Sequence, residues 1–194
     1  MNNVIRSIMP FSLLAALVLF SCEEQTEVSL DDQIPTKNPN IQNTLTTTCS
    51  INADDHLCRT RGLIAGQNYK VGTVKVYCTD GTNDYKVVYE VDPGCSISEV
   101  HVYAGPISEI PKNGGGCPKI GNFPFKLEGL STTSVCVDVG TIPGAFTVAA
   151  HAVVSCSGSP FDGEETAWAG GKRFPDCNNW SMCFGVDCKK TVAD

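Results

Sequence analysis

Cysteine carries most of the chemistry this 194-residue chain could do: there are eleven. Cys22 stands apart, at the end of an apolar N-terminal run. Ten follow it: Cys49, Cys58, Cys78, Cys95, Cys117, Cys136, Cys156, Cys177, Cys183 and Cys188. An even number of cysteines in an exported chain reads as disulfides, here up to five. The competing chemistry is zinc. Zinc ribbons and fingers repeat closely spaced cysteine pairs, a pattern this chain lacks, and its three histidines are scattered. If all ten cysteines pair, no thiol is left as a nucleophile.

Other chemistry is thinner. There is no G-x-S-x-G elbow, no H-E-x-x-H and no P-loop. His151 could serve as a base with Asp162, Glu164 or Glu165 beside it, but their spacing fits a histidine packed on a central strand better. Asp80 and Asp84, and the group Asp162, Glu164 and Glu165, could offer oxygens to calcium. Neither follows the D-x-[DN]-x-[DN]-G pattern, so both read as solvated turns. No metal and no cofactor is expected. Trp168, Trp180, Tyr103, Phe161 and Phe174 could supply rings for stacking on a sugar. Tyr103, His151 and Trp168 are the candidate ligand-binding residues, with core packing the stronger reading for the tryptophans.

The N-terminus gives an address. Arg6 is the only charge before Cys22, and Ile8 to Phe20 is apolar apart from Pro10 and Ser12, so residues 1–21 read as a secretory signal. A membrane span needs about 20 apolar residues, more than this run offers. Leu19-Phe20-Ser21-Cys22 resembles the bacterial lipobox, in which the cysteine becomes the lipidated N-terminus. Stable anchoring needs more than one acyl chain, which lipoprotein modification supplies on one residue. Glu23 and Glu24 resemble a surface-export signal of Bacteroidetes-type lipoproteins. The expected location is therefore the outer membrane, held by lipid, with surface display as the further step. Residues 22–48, rich in Asn, Gln and Thr, read as a tether too polar to bury a core.

Of 14 Lys and Arg, Arg6 leaves with the leader, so 13 basic groups face 21 acidic ones, a net charge of −8. Such a chain is not expected to bind nucleic acid, whose phosphates are met by Lys and Arg.

These candidate groups need strands to position them. Gly72 to Cys78 puts Val74, Val76 and Cys78 on one face. Asp80-Gly81-Thr82-Asn83 supplies a turn, and Tyr85 to Val91 follows with Tyr85, Val87, Tyr89 and Val91 on one face. The pair reads as a β-hairpin. Ser96 to Ala104 sets Val100, Val102 and Ala104 against Glu99, His101 and Tyr103. Gly105 to Gly129 is a long connection rich in Gly and Pro, a kind of loop that is often functional. Ser131 to Val139 alternates again. Ala145 to Cys156 is apolar on both faces, which places it centrally, and Glu165 to Ala169 and Trp180 to Cys188 close the set.

About seven short strands predict an all-β fold, an antiparallel immunoglobulin-like β-sandwich rich in disulfides, over 49–194 as one domain. A closed barrel is the alternative. Cys136 and Cys183 fall on the face opposite their strands' large apolar residues, which admits a Cys136–Cys183 bridge outside the core. Cys78, Cys156 and Cys188 share the apolar face.

Several phrases in the C-terminal half occur in one order: Val100-His101-Val102-Tyr103-Ala104-Gly105, Gly121-Asn122-Phe123-Pro124-Phe125, Thr147 to Val154, Glu165-Thr166-Ala167-Trp168-Ala169-Gly170 and Asn179-Trp180-Ser181-Met182-Cys183-Phe184. Together, over residues 97–188, they resemble a domain of uncharacterised secreted and cell-surface proteins of Bacteroidetes-type bacteria. The resemblance implies location and a β-rich fold. The expected function is non-enzymatic: a tethered module binding a glycan or a protein outside the cell. A hydrolase using His151 and an assembly component are the alternatives. The hydrolase requires His151 in a solvent-open cleft with a hydroxyl or carboxylate in reach.

Overall fold

The computed structural model describes residues 49–158 and 161–188. The signal (1–21), Cys22 and the tether (22–48) lie outside the described residues. The domain is all-β, with ten strands and no α-helix among the described residues. The strands are β1 (Asp55–Ala65), β2 (Tyr69–Thr79), β3 (Asp84–Val91), β4 (Cys95–Gly105), β5 (Phe125–Leu127), β6 (Ser134–Thr141), β7 (Phe146–Cys156), β8 (Gly163–Ala169), β9 (Lys172–Arg173) and β10 (Met182–Val186).

The expected hairpin is β2–β3, in register from Gly72 opposite Val91 to Cys78 opposite Tyr85. Its turn is closed by the Thr82 hydroxyl, which donates to the Thr79 carbonyl and accepts from the Asp84 N–H. β1, by contrast, is absent from the sequence expectation. Its register slips between Leu57 and Arg59, so inward residues fall at Cys58, Leu63 and Ala65 rather than at a constant spacing of two. With Asp55, His56, Arg59 and Arg61 among its residues, it shows no clean alternation.

All pairing is antiparallel and runs in one sheet, β5-β4-β7-β8-β1-β2-β3-β6, with β10 also on β7 and β9 on β10. The two ends of that order approach each other. The chain leaving β5 bonds first to β4, Leu130 N–H to Ser98 O and Ile97 N–H to Thr132 O, and then to β3, where Val91 N–H reaches Thr133 O. One segment therefore serves both edges and nearly closes a barrel, which leaves few edge groups open. Two separate sheets, as expected of a sandwich, are not what this pairing traces.

β7 is central, as its two apolar faces require. β4 flanks one side, with His101 opposite His151, and β8 and β10 share the other. Inside the barrel lie Val74, Val76, Val87, Tyr89, Val100, Val102, Val137, Val148, Ala150, Ala152 and Val154. A second cluster covers the outer face of β4, β7 and β8: Tyr103, Ile110, Phe123, Ala149, Trp168, Phe174 and Cys183.

Four disulfides join Cys49–Cys136, Cys58–Cys188, Cys95–Cys156 and Cys117–Cys177. The Cys136–Cys183 bridge is thus corrected. Cys136 does point out of the core, but the segment before β1 brings Cys49 to it, while Cys183 is buried in the outer cluster. Cys78 sits in the inner core, and neither it nor Cys183 belongs to the four bridges. Cys156 shares that core and Cys188 packs against it, as their face parity requires.

Candidate functional site

The sheet register sets three of the sequence candidates in one neighbourhood. His101 on β4 faces His151 on β7, which faces Trp168 on β8, so their side chains form a row across the outer face. The His101 and His151 rings lie 5.7 Å apart, and His151 and Trp168 5.0 Å apart, both edge-on. Tyr103 lies two residues along β4 on the same face, 6.0 Å from Phe123.

The long connection then encloses them. Two 3₁₀ turns, Ile107–Glu109 and Ile120–Asn122, give it local order, and Lys112 bridges to Pro118. At its tip Asn113 folds the three glycines: its side-chain oxygen accepts from the Gly115 and Cys117 N–H groups. Gly116 has φ +76° and a Cβ there would sit 2.8 Å from the Asp176 backbone oxygen, so only glycine lets the two segments touch. Cys117–Cys177 bonds them beside that contact. The loop is a fixed cover.

Its effect on the candidates is direct. Tyr103 is 6% exposed, Trp168 6% and His151 3%. The open sugar platform envisaged at Tyr103, His151 and Trp168 does not form; the long loop and the Phe174 segment lie over it. The Tyr103 hydroxyl donates to Pro106 O at 2.6 Å, and burial, with Glu109 nearby, pushes its phenol up to about 12. Trp180 is half-buried against the same cluster.

His151 is enclosed, and no partner reaches its Nδ1. Burial first, and then His101 beside it, push its imidazole down to about 3, so the ring is neutral at neutral pH. Glu165 lies opposite Val154, three pairs along the ladder from His151 and exposed. The open cleft with an acid in reach that hydrolysis requires is not present at this ring. His101 is better satisfied. Its Nδ1 donates to the Ile120 carbonyl at 3.1 Å, which fixes the ring so that Nε2 meets the Glu99 carboxylate.

Among the described residues, two groups bring three ligand-type atoms within 4.8 Å: Glu99, His101 and Glu128, and His56, Cys58 and Cys188. The first has a donor set that a divalent ion could use, but two members are carboxylates and no further feature marks a ligand. Its evident role is to end the histidine row in a hydrogen bond between His101 and Glu99. In the second, both sulfurs are already bonded to each other.

Among the described residues the exposed ring lies elsewhere. Tyr69 opens β2 and is 42% exposed, with its centroid 5.8 Å from Phe161. Gly66 and Gln67 make the preceding turn in left-handed backbone (φ +51° and +72°), and Gln67 accepts a hydrogen bond from Arg173. A non-glycine residue held at such φ costs energy and often marks a functional site. Phe161 was among the rings considered from sequence; Tyr69 and Gln67 were missed. Gly66-Gln67-Asn68 is a turn signal, and recognising β1 before it would have exposed the hairpin.

No family model matches this chain, and neither does any curated protein or solved structure.

Proposed function

We propose that this protein is an exported lipoprotein, lipidated at Cys22 in the outer membrane, whose domain binds a glycan or a protein outside the cell. Four disulfides in one domain support an oxidising compartment. The ordered phrases over residues 97–188 support the cell-surface reading by their resemblance to secreted domains. The two four-stranded halves meet through only three residue pairs at the β1–β8 seam. That narrow seam supports reading the barrel as an immunoglobulin-like sandwich drawn shut.

The observation that carries the binding half is the Tyr69 platform. An exposed aromatic face stacks on the apolar face of a sugar, while amides and carboxylates beside it take the hydroxyls. Tyr69 offers the ring, Phe161 braces it, and Gln67, Asn68 and Glu165 surround the turn. The chain's net negative charge disfavours a polyanion there, so a neutral glycan fits better than an anionic one. The hydrolase alternative rests on His151, whose ring is enclosed; the assembly alternative has no feature of its own.

Glycan-array binding by the mature protein tests this. Wild type should show a defined set of neutral glycans, and Tyr69→Ala should lose at least tenfold in affinity with an unchanged circular dichroism spectrum. A blank array together with an empty pull-down overturns the binding reading. An intact mass with Cys22 unmodified overturns the anchor.

A further inference from the structure

Among the four bridges, Cys58–Cys188 has a distinct setting. It joins β1 to the chain just beyond β10, the strand that pairs with the start of β7. Both cysteines are half-buried. His56, two residues before Cys58, lays its Nε2 3.0 Å from Cys188 Sγ, and its Nδ1 lies 2.6 Å from Asp80 Oδ1. A disulfide sulfur and a carboxylate only accept hydrogen bonds, so the imidazolium form of the ring donates to both. Asp80 is itself held. Its N–H bonds to the Asp54 carbonyl at 2.7 Å, and Thr79 beside it donates to Asp55 at 2.6 Å, which pins the β2–β3 turn against the start of β1.

Among the described residues, the other bridges lack this arrangement. Cys95–Cys156 is buried at the end of the β4–β7 ladder. Cys117–Cys177 is half-buried like Cys58–Cys188, but the side chains at its sulfur are Asn179 and Ser181, neither of which takes up or gives a proton near neutral pH. The exchange rate of a disulfide depends on access, on which sulfur is attacked and on how well the leaving thiolate is stabilised. A carboxylate–imidazole pair aimed at one sulfur serves the third requirement and selects the sulfur that leaves.

We propose that Cys58–Cys188 is a thiol–disulfide exchange site, with His56 as proton donor to the departing Cys188 sulfur and Asp80 as the residue that positions His56. An external thiolate, its proton lost to solvent, attacks Cys58 Sγ and forms a new S–S bond. The Cys58–Cys188 bond breaks, its electron pair stays on Cys188, and that thiolate takes the Nε2 proton of His56. A second external thiolate attacks the incoming sulfur. It releases Cys58 as a thiolate and leaves with its partner as a disulfide. Two thiols are oxidised to one disulfide and the protein gains two electrons as a dithiol. The substrate class is a thiol outside the cell, small or carried on a protein, and the site is independent of the Tyr69 platform.

Native-state exchange followed by alkylation and peptide mapping reads all four bridges at once, so the protein is its own control. The probes are reduced glutathione and a reduced dithiol peptide. In folded wild type, Cys58–Cys188 should open at least tenfold faster than Cys117–Cys177 with one probe or both; the faster probe tells a small thiol from a peptide one. His56→Gln should slow that opening at least fivefold and leave the other three bridges unchanged, and Asp80→Asn should slow it less. The proposal is overturned if Cys58–Cys188 opens no faster than Cys117–Cys177 with either probe. It is also overturned if His56→Gln leaves the rate as it was. The wild-type comparison stands even if a variant fails to fold.

Discussion

The two apolar clusters lie on opposite faces of the same strands, yet they are made differently. Inside the barrel, β7 contributes Val148, Ala150, Ala152 and Val154; outside it contributes Ala149 and His151. The inner cluster is mostly valine and alanine, set by strand alternation and closed by the ladder itself. The outer cluster is mainly aromatic and gains its cover from the long loop between β4 and β5, pinned by Cys117–Cys177. A β-sheet makes the first kind of core automatically, whereas the second depends on a segment that has to be brought to it. The inner cluster should therefore report on the whole fold and the outer one on the docking of its cover.

The largest effect should come from the inner side. Leu63 is fully buried where β1 meets β8, so Leu63→Ala should cost about 2–5 kcal/mol in urea unfolding, with all probes moving together. A loss confined to the β1–β8 seam would break the comparison. Next, replacing both Cys117 and Cys177 by serine should cost about 2–4 kcal/mol. Hydrogen-exchange protection should fall over residues 107–123 while the β2–β3 and β4–β7 ladders keep theirs. Equal loss in those ladders would show that the cover and the barrel are one cooperative unit.

The smallest effect is the sharpest. His151 buries a nitrogen without a partner, so His151→Leu should stabilise the protein by about 1–3 kcal/mol at neutral pH. Its folded imidazole is held down at about 3 against an ordinary 6.5. Between those values the unfolded chain binds the proton and the folded chain does not. Wild-type stability should thus fall as pH drops below about 6.5, with a slope approaching ~1.4 kcal/mol per pH unit. His151→Leu should lack that slope. Asp55 adds its own acid loss: burial opposes its carboxylate, but hydrogen bonds from the Asn52 N–H, Lys86 and Thr79 outweigh this and hold it near 2. Its contribution is lost only below its ordinary 3.8, so a slope between pH 4.5 and 6.5 belongs to His151. Identical profiles for variant and wild type would remove this account of the ring.

Particular strands show what alternation can reveal. β2, β3 and β4 each put the expected valines inward, because a half-buried strand writes its two faces into every second residue. β1 did not, since its bulge moves the inward set by one residue at Cys58. β5 and β9, with three and two residues, are too short to carry a pattern. His101 lies on the face opposite the inward valines of β4, as expected, but its meeting with His151 and Trp168 depends on register between β4, β7 and β8. Tyr69 was invisible because its hairpin partner was.

By itself, the sequence determined an all-β antiparallel fold, the central position of β7, the face on which each cysteine of an alternating strand lies, and the readiness of the chain for disulfides. These follow from local periodicity and composition. Tertiary structure alone decided which cysteines meet, that His151 and Trp168 lie under a cover, that the Tyr69 ring is exposed, and that Asp80, His56 and Cys188 come into line. Those pairings join residues as far apart as 132 positions in the chain. Local alternation says which way a side chain points, and only strand order and register say what it meets.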